Sequence, residues 1–296
     1  MREDTALSLK KIVDNGETLS EQQAKDMLNQ SDLIGKLLTP PKRKPDTFVG
    51  VRAYEWRLLE LSEIPFVDKL TQVQEWVDLL LEKTFIGDAF SLTGNRTGVL
   101  ACHNAMISTI LLKVSPKKKE HIDAGIRWIL EYQQVERNQA CRWDGGDLYT
   151  KYGGCMKAVP CFYGVVKSMI ALTAYKRVFG PSDSLHDKLK NGLDYILKHK
   201  LFQRLSSNKP IEPSIIQNFY PYTYKTNVIE LLSLMKDNDL LEHDHCQEAL
   251  NLLKDKQQTD GFWQADLFFM KSAWIPFDPP GERGEWITHV VKRLGL

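Results

Sequence analysis

The 296-residue chain has no excess of either charge, since 39 Lys and Arg stand against 38 Asp and Glu for a formal charge of +1. A near-neutral chain sets up no long-range field, which argues against nucleic acid or anionic lipid as a partner. Long apolar runs are also missing. The longest, Gly98 to Leu112, is interrupted by His103 and Asn104 and falls short of the ~18 residues that span a bilayer. A buried helix is expected there, and no transmembrane segment. The first residues, MREDTALSLKKIVDNGETLSEQQ, lack the apolar core of a secretory signal, so a cytoplasmic protein is expected. No Pro/Gly/Ser-rich linker or charge block divides the chain, which favours one large helical domain. Cysteine is scarce. Five in a large chain without a signal argue for thiols, metal or catalysis rather than a disulfide framework.

What is present is helical periodicity. From Leu19 to Leu38 apolar residues recur three or four apart, with Ser20 placed as an N-cap, predicting one helix or two short ones before Pro40 and Pro41. The following segments alternate in character. Val51 to Leu61, Gly98 to Leu112, Cys161 to Phe179 and Tyr222 to Met235 are apolar. Leu70 to Lys83, His121 to Gln134, Leu185 to Lys200 and Glu242 to Gln258 are amphipathic or mixed, and Glu285 to Leu294 closes the chain. Asn218 to Thr223 reads as briefly extended, and no other strand pattern interrupts an all-α reading.

The apolar helices repeat. Their starts align at Cys102, Cys161, Tyr224 and Trp286, intervals of about 60 residues, with Arg52 as a weaker first member. Two helices per interval make a hairpin, and four or five hairpins bury their apolar helices by stacking or by closing in a ring. The amphipathic helices share an ending as well. Gln257, Gly261 and Trp263 form one copy, and Gln133 and Gln134 followed by Trp143 a looser one. In such an ending the glutamine ties off helix-end backbone groups, the glycine permits a left-handed turn and the tryptophan packs between hairpins.

This pattern resembles the glutamine-tryptophan repeat of the terpenoid cyclase and protein prenyltransferase β-subunit superfamily. In particular the chain looks like the small prokaryotic prenyltransferase/squalene-cyclase repeat proteins, with their Cys…Cys-x5-Cys pattern and closing Glu-Trp-Ile-Thr. The likeness spans roughly residues 50 to 296, and the copy near Leu185 to Leu205 has lost both Gln and Trp. It implies an α/α toroid of about five helical hairpins over 51–296, with inner and outer helix rings. Residues 1–50 would form a helical segment packing on that ring or completing it. The Asp-x-Asp-Asp acid of class II cyclases and the Asp-Asp-x-x-Asp diphosphate site are not in the sequence, so the chemistry is not inherited with the fold.

In a toroid the inner helices start at one rim, which would gather Cys102, Cys161, Tyr224 and Trp286. Beside them lie His103, Asn104, Phe162, Tyr163, Lys225 and, one turn further in, His289; Cys155 sits on the loop before Cys161. Two chemistries stay open. Cys102, Cys155 and Cys161 with His103 or Asp147 have the donor types of a zinc site. Alternatively, Cys102 or Cys161 at a helix start acts directly as nucleophile or base, with His103 or Tyr163 as proton partner, and Asp147 is close enough in sequence to Cys155 to reach the same rim. Lys157, Lys167 and Lys225 are candidates for holding an anionic group. Tyr224, Trp286, His289, Lys225, Asn104 and Phe162 are the candidate substrate contacts, Trp56 and the other aromatics a cavity lining. Each of these types is also an ordinary core residue at helical spacing. The resemblance implies a small, apolar or isoprenoid substrate. The alternatives are a zinc- or thiol-dependent lyase or cyclase on a small polar or peptide substrate, and a non-catalytic binding scaffold. The oligomeric state is open.

Overall fold

The computed structural model describes residues 3–139, 143, 160–266 and 274–296. Among them are twelve α-helices: α1 (Thr5–Asp14), α2 (Glu21–Asn29), α3 (Asp32–Leu37), α4 (Phe48–Leu61), α5 (Thr71–Thr84), α6 (Ala101–Val114), α7 (Lys119–Tyr132), α8 (Phe162–Phe179), α9 (Asp183–Lys198), α10 (Val228–Lys236), α11 (Gln247–Asp255) and α12 (Glu285–Lys292). The only sheet among the described residues pairs β1 (Trp263–Gln264) with β2 (Arg283–Gly284). The structure is mostly helical, and no described helix is long and apolar enough to cross a membrane.

Local signals explain where the helices begin. Ser20 and Gln23 form a reciprocal capping box on α2, satisfying two otherwise orphaned amides. The Asp4 carboxylate accepts from the Ala6 amide at the start of α1 and also from the Ser31 hydroxyl and Leu33 amide at the start of α3. One side chain therefore fixes the entry of two helices. The sequence reading did not single out α1. Its buried residues Ala6, Leu7 and Leu9 sit in a strongly charged stretch and become a face only once α2 packs on them. The helix expected from Tyr222 begins at Val228 instead, because Asn227 caps it through the Glu230 amide. The residues before it stay extended, with the Asn218 and Tyr220 carbonyls accepting from Asp266 and Phe277.

Packing follows the alternation of apolar and amphipathic helices. α4, α6, α8 and α10 contact one another in succession, and each packs on the amphipathic helix that follows it: α5, α7, α9 and α11. At the α6–α8 contact Gly164 lies against Ala101, and at α8–α9 Gly192 lies against Met169. A single cluster of buried side chains runs from Ala6 to Leu294. The N-terminal helices are tied into it by Arg57, which donates to the carbonyls of Leu37 and Thr39, and by Asp14, whose carboxylate meets His289 at 2.8 Å on α12.

The Gln257–Gly261–Trp263 ending works in the manner its residue types suggest. Gln257 donates to the Gly261 carbonyl, Gly261 takes a φ of +79°, and the buried Trp263 indole donates to the Leu253 carbonyl at 2.6 Å. Across the two-stranded pair, a Cβ on Gly284 would lie 2.6 Å from the Trp263 carbonyl, so only glycine fits.

Two predictions follow from these contacts. Trp263→Phe keeps an aromatic ring but removes the indole donor to the Leu253 carbonyl, which retains the Lys256 amide, and a loss of about 0.5–1.5 kcal/mol is expected in denaturant unfolding; an unchanged midpoint would make that bond dispensable. Burial alone would raise the Asp14 carboxyl, but the hydrogen bond from His289 and the charges of Lys10 and Arg293 outweigh it and lower it from 3.8 to about 2. Its contribution is therefore present above about pH 4 and lost as the pH falls toward 2. Asp14→Asn should flatten acid unfolding across that window, as followed by circular dichroism.

Candidate functional site

Helical phase turns one stripe of each apolar helix toward a common interior. On α4 the positions Arg52, Glu55, Trp56 and Leu59 recur three or four apart; on α8 they are Tyr163, Lys167, Ile170 and Ala174. Leu59, Met106, Lys167 and Glu230, from α4, α6, α8 and α10, all line one cavity of about 610 Å³. Val290 of α12, Arg293 just after it, and Lys10 and Asp14 of α1 line it as well. Four residues before Leu59, Met106 and Lys167 stand Glu55, Cys102 and Tyr163. One helical turn is about 5.4 Å, so this second group lies just beyond the cavity toward the helix starts.

There the structure gathers several of the residues the sequence pointed to. His103 and Glu55 are buried together, with Nδ1 at 2.8 and 2.7 Å from the two carboxylate oxygens. A carboxylate on Nδ1 fixes the ring and leaves Nε2 for other chemistry. Cys102 is close enough to Cys161 and to Glu55 to feel both electrostatically. Tyr224 stacks on Trp56 with ring centroids 5.7 Å apart and meets Tyr163 edge-on at 6.5 Å. The Tyr163 hydroxyl donates to Glu212, which also pairs with Lys225.

Electrostatics reverses the expectation of a thiolate. Burial pushes the Cys102 thiol strongly up, the neighbouring Cys161 and Glu55 add to this, and the amides of Cys102 and His103 at the helix start only partly oppose it. The helix-terminus effect is worth a fraction of the desolvation it competes with. Burial likewise raises the Tyr163 hydroxyl, with Glu212 adding, so this group stays protonated as a donor. Cys246 is buried on α11's approach, donates to the Leu240 carbonyl and is raised to about 11, which makes it a core thiol.

Other candidates lie elsewhere. Asn104 points away from the interior, where it accepts from the Phe90 amide and donates to the Gly125 carbonyl. Phe162 packs edge-on against His199, toward α9. Trp286 stacks on Tyr220 and meets Phe277 edge-on, and His289 is engaged by Asp14. Lys167 is buried against Glu230 at 2.5 Å, a pairing in which burial raises the Glu230 carboxyl and Lys167 opposes that rise. Cys141, Cys155, Asp147 and Lys157 lie outside the described residues. Among the described residues no three His, Cys, Asp or Glu side chains assemble as a metal site. Cys102, Cys161 and His103 therefore do not by themselves supply a zinc donor set.

Sequence reasoning passed over Glu55, Glu212 and Glu230. The signal available was an acid within an apolar helix at the phase of its interior stripe, as Glu55 is in α4 and Glu230 in α10. A scan for known protein families finds no match to the chain, and a search of curated proteins finds no relative.

The raised Cys102 thiol makes a direct prediction. At about pH 8 native Cys102 should react with an aromatic disulfide at least about tenfold more slowly than a free thiol. Comparison with Cys102→Ser isolates its share; a fast stoichiometric phase lost in that variant would show an activated thiolate instead.

Proposed function

We propose that the chain is an α/α toroid and an enzyme, with α4, α6, α8, α10 and α12 as its inner helices and the cavity they line as its substrate chamber. The observation that carries the enzymatic reading is the buried His103–Glu55 pair beside Cys102. Removing an imidazole and a carboxylate from water is costly, and a purely apolar core has no need of it. A carboxylate-oriented imidazole is the general base of acid–base catalysis, and the Cys102 thiol, kept protonated by burial, is a weak hydrogen-bond donor at the same level. Glu55 positions His103 through Nδ1, and Nε2 takes the substrate proton. Tyr163, kept protonated, donates a hydrogen bond at the same level.

Leu59, Met106, Ile170, Ala174 and Leu234 around the cavity support an apolar substrate body, consistent with a terpene-cyclase- or prenyltransferase-like activity on an isoprenoid or similar molecule. A lyase or cyclase on a small polar substrate is the second reading, favoured by the ion pairs that also line the cavity, Lys113–Glu63 at 2.6 Å and Lys167–Glu230 at 2.5 Å.

The test is turnover. The purified protein is incubated with small-molecule extract of its source cells, and mass spectrometry identifies what is consumed and formed. His103→Gln is expected to slow that conversion by about 10²–10⁴-fold, with an unchanged melting curve. Glu55→Gln, which keeps a hydrogen bond to Nδ1, should lower the rate less and shift its pH profile. Conversion at the wild-type rate in both variants would remove the acid–base assignment. Tight binding of an extract component that is never converted would favour the scaffold alternative.

A further inference from the structure

The lysines that the sequence offered for holding an anion are already matched, Lys167 by Glu230 and Lys225 by Glu212. Arg52 is different. Its Nε is buried without a hydrogen-bond partner, and among the described residues no carboxylate pairs with its guanidinium. It lies one turn before Trp56 on the interior stripe of α4, with its guanidinium 4.6 Å from the Trp56 ring and 5.1 Å from the Phe48 ring. The Trp56 indole Nε1 is likewise buried without a partner, on a residue only 7 % exposed. Two adjacent buried donors without acceptors are rare in folded proteins, because each loses its water without replacement. Both belong to the level of His103, Glu55 and Tyr224, since Trp56 stacks on Tyr224.

We propose that Arg52 and Trp56 bind a carboxylate group of the substrate. The geometry of the donors suits that group: a guanidinium presents parallel N–H bonds to a planar carboxylate, and an indole N–H supplies one more. Charge matching points the same way. Glu55 is engaged by His103, and Glu212 by Lys225 and Tyr163, so the Arg52 guanidinium offers a single positive charge that no described carboxylate contacts, which suits a monoanion better than a phosphate dianion. The aromatic faces of Phe48 and Trp56 keep the guanidinium oriented while the site is empty of substrate. The assignment rests on the interior being the substrate site, and it specifies that the substrate is a carboxylic acid.

The experiment is calorimetric titration of the full chain with sodium hexanoate, with hexanol as the uncharged probe of equal length and inorganic phosphate as the competing oxyanion. Hexanoate is expected to bind at least tenfold more tightly than either. Arg52→Gln should weaken hexanoate at least tenfold and leave hexanol unchanged, and Arg52→Lys should weaken it by less. Trp56→Phe, which keeps the ring and removes only the N–H, should weaken it about threefold to tenfold, and thermal melts establish that each variant is folded. No hexanoate binding, equal binding in Arg52→Gln, or a preference for phosphate would each overturn the proposal. The enzymatic reading fails separately. Arg52-dependent hexanoate binding without any turnover leaves the carboxylate site standing and removes the catalysis; His103-dependent turnover with Arg52-independent binding does the reverse.

Discussion

A carboxylate buried between helices is tolerable only when a cationic or hydrogen-bonding partner reaches it from another element, and that constraint organises the interior of this protein. Glu55 of α4 is met by His103 of α6, and Glu230 of α10 by Lys167 of α8. Each pair crosses a helix contact, so neither group can be satisfied unless the two helices keep their register. Pairs of this kind add little net stability over apolar packing, because the desolvation they incur offsets their attraction. Breaking one, however, leaves an uncompensated buried charge. The helices are thus held in register by what would go wrong if they slipped.

The same constraint separates structure from chemistry among the charged residues. Arg57 and Arg52 lie five positions apart on α4 and have opposite fates. Arg57 is spent on Glu60 and on the carbonyls that end α3, anchoring the N-terminal helices. Arg52 is left with its Nε buried and unpartnered, as is the indole Nε1 of Trp56. A fold whose other interior charges are matched across helix contacts makes an unmatched pair of donors conspicuous. That contrast, more than the presence of any one residue type, directs attention to the helix starts.

Much of the helical architecture was legible in advance because it rests on local chemistry. Ser20 caps α2, Gly261 turns the chain at a positive φ and Trp263 seals the end of α11, each from a signal a few residues long. The alignment at Cys102 and Cys161 brought those two residues into one neighbourhood across the chain, whereas Tyr224 precedes its helix and Trp286 packs on Tyr220. α1 escaped notice because its apolar face is short and set among charges. Asn104 and Phe162 were assigned to the interior by adjacency in sequence. Neighbours along a helix point about 100° apart, and these two face the outer partners.

By itself the sequence determined the all-helical class, the alternation of buried and amphipathic helices, and the presence of thiols and an imidazole at helix starts, because periodicity and capping are local properties. Only the tertiary structure decided which polar groups meet. It set Glu55 on His103, gave Lys167 and Lys225 their acidic partners, left Arg52 and Trp56 without acceptors, and raised the Cys102 thiol where a helix start alone would lower it. The physical reason is that pairing and desolvation depend on the residues that face a group across the core, and those come from distant parts of the chain.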